Sequence, residues 1–309
     1  MGEITEALRR AREEQRPDEQ RPGEQRHGES RPDEPRPGGQ QSGAPQSAPR
    51  PAERPAAGRL HPKPSNKRDH AVTISSDPTG DWASRAVVVD QRGGVSEYYR
   101  HFALRVLRAL KERNARTLLV TSALRAEGKT TTACNLAFAL SSLAGGRPVA
   151  LVDLDFRRPS VAKNLELSCE HGLEEVLAGD VELASATVQT QIGALDIYPI
   201  LRPTRQAHEL LAGDRFGDVV RELSRRYEYV IFDSPPVLLV PDVPLALAEV
   251  DAAVAVARAG VTSTGAFDDM LGVVNEAKLI GVFLNEAEAP RHKRQYGYYV
   301  DDDTEEETK

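Results

Sequence analysis

Between Glu97 and Asn285 the chain alternates short, almost wholly apolar runs with segments whose apolar residues recur every three or four positions. The first pattern suits strands covered on both faces and the second suits helices with one buried face. Glu97–Arg113, carrying Tyr98, Phe102, Leu104, Val106, Leu107 and Leu110, is expected to be a helix. Strand 117–121 and helix 130–143 follow, then strand 149–153 and a short helix over 172–177. The rest reads as strand 195–199, helix 208–226, strand 229–233, helix 243–249, strand 252–257, helix 264–277 and strand 280–285. Strands alternating with helices predict an α/β, doubly wound, mostly parallel sheet.

Composition changes the picture at both ends. The first 70 residues hold 11 of the 21 prolines, no aromatic residue, 14 basic and 12 acidic side chains. Such a segment cannot bury enough apolar surface to offset the entropy of ordering it. Residues 3–14, with Ile4, Ala7, Leu8 and Ala11, form a candidate amphipathic helix too short to stand alone. A degenerate five-residue repeat follows, beginning at Arg16, Arg21, Arg26, Arg31 and Arg36, whose prolines forbid helix and sheet ladders. The expected organisation is therefore 1–85 helix plus spacer, 86–285 folded domain, and 286–309 acidic tail. No run of 18 apolar residues predicts a membrane span, and charges among the first six residues do not suit a signal peptide. Two cysteines, Cys134 and Cys169, are too few for a disulfide framework and read as buried hydrophobes. A net charge of −7 argues against a nucleic-acid partner held by overall charge. A cytoplasmic chain is the expectation.

Three strand ends carry candidate chemistry. Thr121-Ser-Ala-Leu-Arg-Ala-Glu-Gly-Lys-Thr-Thr-Thr132 fits the phosphate-loop pattern G-x-x-x-x-G-K-[ST], with Ala123 in place of the first glycine, between a predicted strand and a predicted helix. Backbone N–H groups over Ala126, Glu127, Gly128, Lys129, Thr130 and Thr131 would curl around phosphate oxygens at a helix N-terminus. Lys129 would bring its charge to the β- and γ-phosphates, and the Thr130 hydroxyl would ligate Mg²⁺. Asp153 and Asp155 end the second strand at i, i+2 spacing, which predicts that both point to one side of the sheet. Asp233 ends the strand Tyr229-Val-Ile-Phe-Asp233. Three carboxylates at one sheet edge need a cation, and Mg²⁺ bound to a nucleoside triphosphate supplies one.

These motifs, with Gly281-Val-Phe-Leu-Asn285, resemble the Walker A, Walker A′ and Walker B set of the bacterial tyrosine kinases of capsule and exopolysaccharide synthesis. The resemblance runs from about Val95 to the C-terminus. That family shares a superfamily with the Min and Par partitioning ATPases, whose signature lysine position is occupied here by Leu124. It implies an ATP- and Mg²⁺-dependent protein-tyrosine autokinase with Lys129, Asp153, Asp155 and Asp233 as catalytic residues. Thr130, Asp155 and Asp233 would serve the metal, Asn285 would join the nucleotide site, and Asp153 would accept the phenol proton, with an exchange of roles between Asp153 and Asp155 left open. The implied phosphorylation sites are Tyr296, Tyr298 and Tyr299, three of the chain's eight tyrosines within four residues of a hydrophilic end. The family assembles through a helix motif E-x-x-R-x-x-R; Glu97 and Arg100 match it, Ala103 does not, and the arginine is displaced to Arg105. A homo-oligomer is implied, with ring assembly left open. The resemblance to the family's split form implies a separate membrane polysaccharide co-polymerase as activator, recruiting the chain to the inner face of the membrane. The alternatives are an ATPase switch that phosphorylates nothing and a non-catalytic nucleotide-binding regulator of polysaccharide export.

Overall fold

The computed structural model describes residues 94–190 and 192–287. The amphipathic segment 3–14, the five-residue repeat, residues 86–93 and the tail tyrosines Tyr296, Tyr298 and Tyr299 lie outside the described residues. Helix α1 (Gly94–Glu112) leads into β1 (Thr117–Ser122), α2 (Lys129–Leu143) and β2 (Val149–Asp153). Then come α3 (Val161–Asn164), α4 (Leu173–Ala178), a 3₁₀ turn (Leu183–Ala186), β3 (Val188–Gln189) and β4 (Leu195–Tyr198). The chain continues through α5 (Ala207–Ala212), α6 (Asp214–Arg226), β5 (Tyr229–Asp233), α7 (Val243–Glu249), β6 (Ala252–Arg258), α8 (Thr264–Val273) and β7 (Leu279–Asn285).

The seven strands pair in the order β3-β4-β2-β5-β1-β6-β7, parallel except for the antiparallel edge strand β3. β1, β2 and β5 are buried at every position, as their apolar runs predicted. Helix α2 is buried along most of its length, from Thr130 to Ser141, because α1 covers its outer side. Its apolar residues consequently occupy much of its circumference. At the β7 edge, α1 stacks Tyr99 on Phe283 at 5.2 Å and tilts Phe102 against the same ring at 4.7 Å.

Two predicted helices are shorter than expected. The segment 208–226 divides at Gly213, whose extended backbone (φ −76°, ψ 152°) ends α5 and opens α6 with Asp214 in its first turn. Glycine is a poor helix interior and an acid at the next position suits a new N-terminus. The segment 264–277 stops at Val273: Asn275 takes a φ of 32° and its side chain accepts the Ala277 N–H at 3.0 Å, a local turn that competes with the helix. The turn α3, the 3₁₀ turn and the two-residue β3 carry no periodicity long enough to predict. In α1, Glu97 and Arg100 pair with each other, Ala103 is fully buried and Arg105 is exposed. Position 103 thus faces the core of its own subunit. Cys134 is buried as expected, whereas Cys169 is only half-buried.

Candidate nucleotide site

Strand register builds the site. β5 lies between β1 and β2, and Asp153 is directly opposite Asp233 across the β2–β5 ladder, as Val120 is across β1–β5. Their carboxyl ends converge where open α/β sheets hold ligands. A cleft of about 380 Å³ opens there, lined by Gly128, Lys129, Thr130, Asp155 and Ser160 together with Pro235 and Pro236.

The phosphate loop is held from outside as well as by its own turns. Gly128 caps α2 in the left-handed region (φ 91°), and a Cβ there would lie 2.1 Å from Asn285 Nδ2. Asn285 Nδ2 in turn donates to the Glu127 carbonyl at 3.2 Å. Ala126 also takes a positive φ, 60°, and its carbonyl accepts Arg258 Nη1 at 3.2 Å. The buried Glu127 carboxylate accepts the Leu124 N–H at 2.6 Å and the Thr262 hydroxyl. Glu127 therefore staples the loop through its side chain, which leaves only its backbone for a phosphate. Ala123 does not need a positive φ, so the alanine in place of the first glycine carries no backbone strain.

Gly128→Ala follows from this geometry as a double insult. A left-handed alanine costs about 1–2 kcal/mol, and its methyl group displaces Asn285. We expect a lower melting temperature and at least tenfold weaker nucleotide binding in titration calorimetry. Pairing it with Asn285→Ala should recover the steric share of the stability loss and leave the backbone share.

Lys129 Nζ lies 3.3 Å from Asp155 Oδ2 and 3.6 Å from Asp233 Oδ1, and it donates to Thr130 Oγ1 at 3.1 Å. Thr130 Oγ1 donates to Asp233 Oδ2 at 2.7 Å and stands 3.1 Å from Ser160 Oγ. Burial works against the lysine's charge, but Asp233, Asp155 and Asp153 outweigh it and hold its pKa above the ordinary value. Burial pushes Asp233 up despite Lys129 and Thr130. Asp153, fully buried and facing Asp233, is pushed up to about 7. One lysine is thus set among three carboxylates, and Asp233 Oδ1 is buried without a hydrogen-bond partner among the described residues. An orphaned carboxylate oxygen beside a phosphate loop fits a divalent cation. Among the described residues no group of three or more Asp, Glu, His or Cys side chains would hold a metal unaided. Phosphate and water oxygens would have to complete its shell.

The expected common orientation of Asp153 and Asp155 is corrected. β2 ends at Asp153, so the strand alternation does not extend to Asp155. Asp153 turns beneath the loop, where Oδ1 accepts the Asp155 N–H at 2.9 Å and Oδ2 accepts those of Ser160 and Val161, both at 3.1 Å. Asp155 instead lines the cleft. Arg157, whose contacts the motif left open, directs Nε and Nη2 to Asp242 Oδ2 at 3.2 and 3.0 Å. Sequence reasoning missed Ser160, Arg258, Thr262 and Asp242, since none belongs to a motif; only the fold brings the first three to the loop and Asp242 to Arg157.

A parallel sheet with a Gly-Lys-Thr turn at a helix N-terminus and acids on the two adjacent strand ends defines a phosphate-loop nucleotide-binding protein. The comparisons make the class more specific. Residues 126–278 match a family model described as an AAA domain. The tyrosine-protein kinase YwqD of Bacillus subtilis (strain 168) is 30% identical over 210 residues, covering 66% of this chain and 86% of that protein. The tyrosine-protein kinase Wzc of Salmonella typhi is 27% identical over 263 residues, 76% of this chain. The chain spans only 36% of that relative's length. Among solved structures, the kinase domain of the Escherichia coli tyrosine kinase ETK superposes with a TM-score of 0.62 at 25% identity, covering 71% of this chain and 90% of that one. The chimerical protein CapA2B2 does so at 0.62 and 26%, covering 67% and 91%. The chain belongs to the bacterial tyrosine kinase family.

Proposed function

We propose that the chain is an ATP-dependent protein-tyrosine autokinase that transfers the ATP γ-phosphoryl group to its own tail tyrosines and thereby regulates capsular or exopolysaccharide synthesis or export. The observation that carries this reading is the cluster of Lys129, Thr130, Asp155 and Asp233 at the α2 N-terminus, in a chain whose named relatives are tyrosine-protein kinases. ATP is the substrate. Loop amides from Ala126 to Thr131 and Lys129 would bind its β- and γ-phosphates, with Asn285 bracing the loop. Thr130 and Asp233 would hold Mg²⁺, which neutralises charge on the phosphates when bound, and Asp155 would be left for the acceptor. Positioning and electrostatic stabilisation supply most of the catalysis in phosphoryl transfer. The tyrosine phenol oxygen bonds to the γ-phosphorus as the bond to the β,γ-bridging oxygen breaks and ADP departs. The phenol proton passes to a carboxylate, and Asp155 fits that role better than Asp153, whose two oxygens are taken by three backbone amides. A separate membrane polysaccharide co-polymerase would activate the chain at the inner face of the membrane. No helix among the described residues is long and apolar enough to cross one. Self-association through α1 belongs to the same reading, with Arg105 in place of an arginine at the buried position 103.

Mass spectrometry after incubation with Mg·ATP, with and without the cytoplasmic segment of a candidate co-polymerase, tests the reading. Phosphotyrosine is expected at Tyr296, Tyr298 or Tyr299 and should vanish in the triple Tyr→Phe variant while ATP binding persists. ATP turnover without phosphotyrosine in the activated complex would favour an ATPase switch.

A further inference from the structure

Two cations at the cleft have no assigned role in holding the phosphates. Arg125 lies in the loop after β1 and Arg158 in the loop after β2; both line the cleft and both are exposed. Among the described residues neither guanidinium has a hydrogen-bond or ion-pair partner, whereas the neighbouring Arg157 is tied to Asp242. Only β5 separates β1 from β2, so the strand axes feeding the two loops stand about 10 Å apart. The Arg158 N–H donates to Asp155 Oδ1 at 3.0 Å, which roots this arginine at the carboxylate where a phenol would arrive.

The acceptor sequence has matching chemistry. Tyr296, Tyr298 and Tyr299 are followed by Asp301, Asp302, Asp303, Glu305, Glu306 and Glu307, and preceded by Arg291, Lys293 and Arg294. An extended chain advances about 3.3 Å per residue, so Asp301–Asp303 trail Tyr299 by about 7–13 Å. That span suits a phenol at Asp155 with the following carboxylates at the rim. Guanidinium groups bind carboxylates through paired N–H donors, a geometry lysine does not offer.

We infer that Arg125 and Arg158 form an acid-reading rim that selects tyrosines followed within two to eight residues by carboxylates, and that the segment Tyr296–Glu307 of this chain is its occupant. The inference rests on the kinase reading for the acceptor's identity. It makes the rim a determinant of substrate choice, with Arg125 contributed by the phosphate loop itself and Arg158 by the loop after β2.

The test uses the full chain with Asp301–Asp303 changed to Asn and Glu305–Glu307 to Gln, so that its own tail does not compete. The probe is a fluorescent Lys293–Lys309 peptide with its three tyrosines replaced by phenylalanine, followed by anisotropy with saturating Mg·ADP. We expect the acidic peptide to bind at least tenfold more tightly than one with its six acids neutralised, and added salt to erase most of the difference. Arg125→Gln with Arg158→Gln should remove the preference, and Arg158→Gln alone should weaken it while leaving nucleotide affinity within twofold. Arg158→Glu should regain binding to a peptide carrying lysines at 301–303. Equal binding of acidic and neutral peptides, or an Arg158→Gln variant that loses nucleotide affinity and keeps the preference, would overturn the inference. The tyrosine-bearing peptide separates the two readings: charge-selective binding without phosphoryl transfer, even with activator, would sink the kinase proposal and leave the rim standing.

Discussion

Replacing Lys129 with methionine is expected to lower phosphoryl transfer by about three orders of magnitude, because the side chain supplies charge where the transition state spreads it. The structure adds a second effect that a phosphate-loop motif alone does not imply. Lys129 Nζ is the cation among Asp153, Asp155 and Asp233, two of which are fully buried. Removing it leaves those carboxylates uncompensated, and breaking a buried pair from one side costs on the order of 3 kcal/mol. The ligand-free variant should therefore melt well below the parent at pH 8. The deficit should shrink toward pH 5, where the carboxylates take up protons. Thermal melts at the two pH values, beside an activity assay, check both halves. An inactive variant of unchanged stability would show that Lys129 is not compensating these acids.

Asp233→Asn should move the two properties in opposite directions. Asp233 is fully buried, its Oδ2 accepts the Thr130 hydroxyl, and its Oδ1 has no hydrogen-bond partner among the described residues. Asparagine keeps an acceptor for Thr130 and removes one of the crowded charges. Native Asp153 and Asp233 both hold their protons to higher pH than unfolded carboxylates do. For groups raised in this way, native stability is fully present below the unfolded pKa of about 4 and is lost as pH rises. For Asp153 the loss is complete above about 7. The variant should be more stable than the parent at pH 8 by about 1 kcal/mol, or about 2–4 °C for a domain of this size. The gain should fade as pH approaches 4. Activity and Mg²⁺-dependent nucleotide affinity should fall together, the usual exchange between stability and a charged site. A destabilised variant at pH 8 would mean that the Thr130 contact outweighs the relief of charge crowding.

Legibility differed by element. β1, β2 and β5 were readable because burial on both faces demands continuous apolar runs. The 208–226 segment misled because its apolar spacing runs unbroken through Gly213, where an extended backbone makes two helices. Lys129, Thr130, Asp155 and Asp233 were readable because a phosphate loop and strand-end acids are local patterns. Ser160, Arg258 and Thr262 were not, since the first follows β2 and the other two lie at the end of β6 and in the turn after it, all far along the chain from the loop.

By itself the amino-acid order determined the alternating α/β plan, the strand ends that carry acids and the loop that can wrap a phosphate, because these depend on periodicity and on neighbours a few residues apart. Only the tertiary structure decided that Asp153 is a buried brace and Asp155 the acid facing the cleft. It also decided that Glu127 is a staple, and that Arg125 and Arg158 find no partner among the described residues while Arg157 is tied to Asp242. Those assignments depend on which hydrogen-bond partners arrive from distant strands and loops, and no local pattern encodes them.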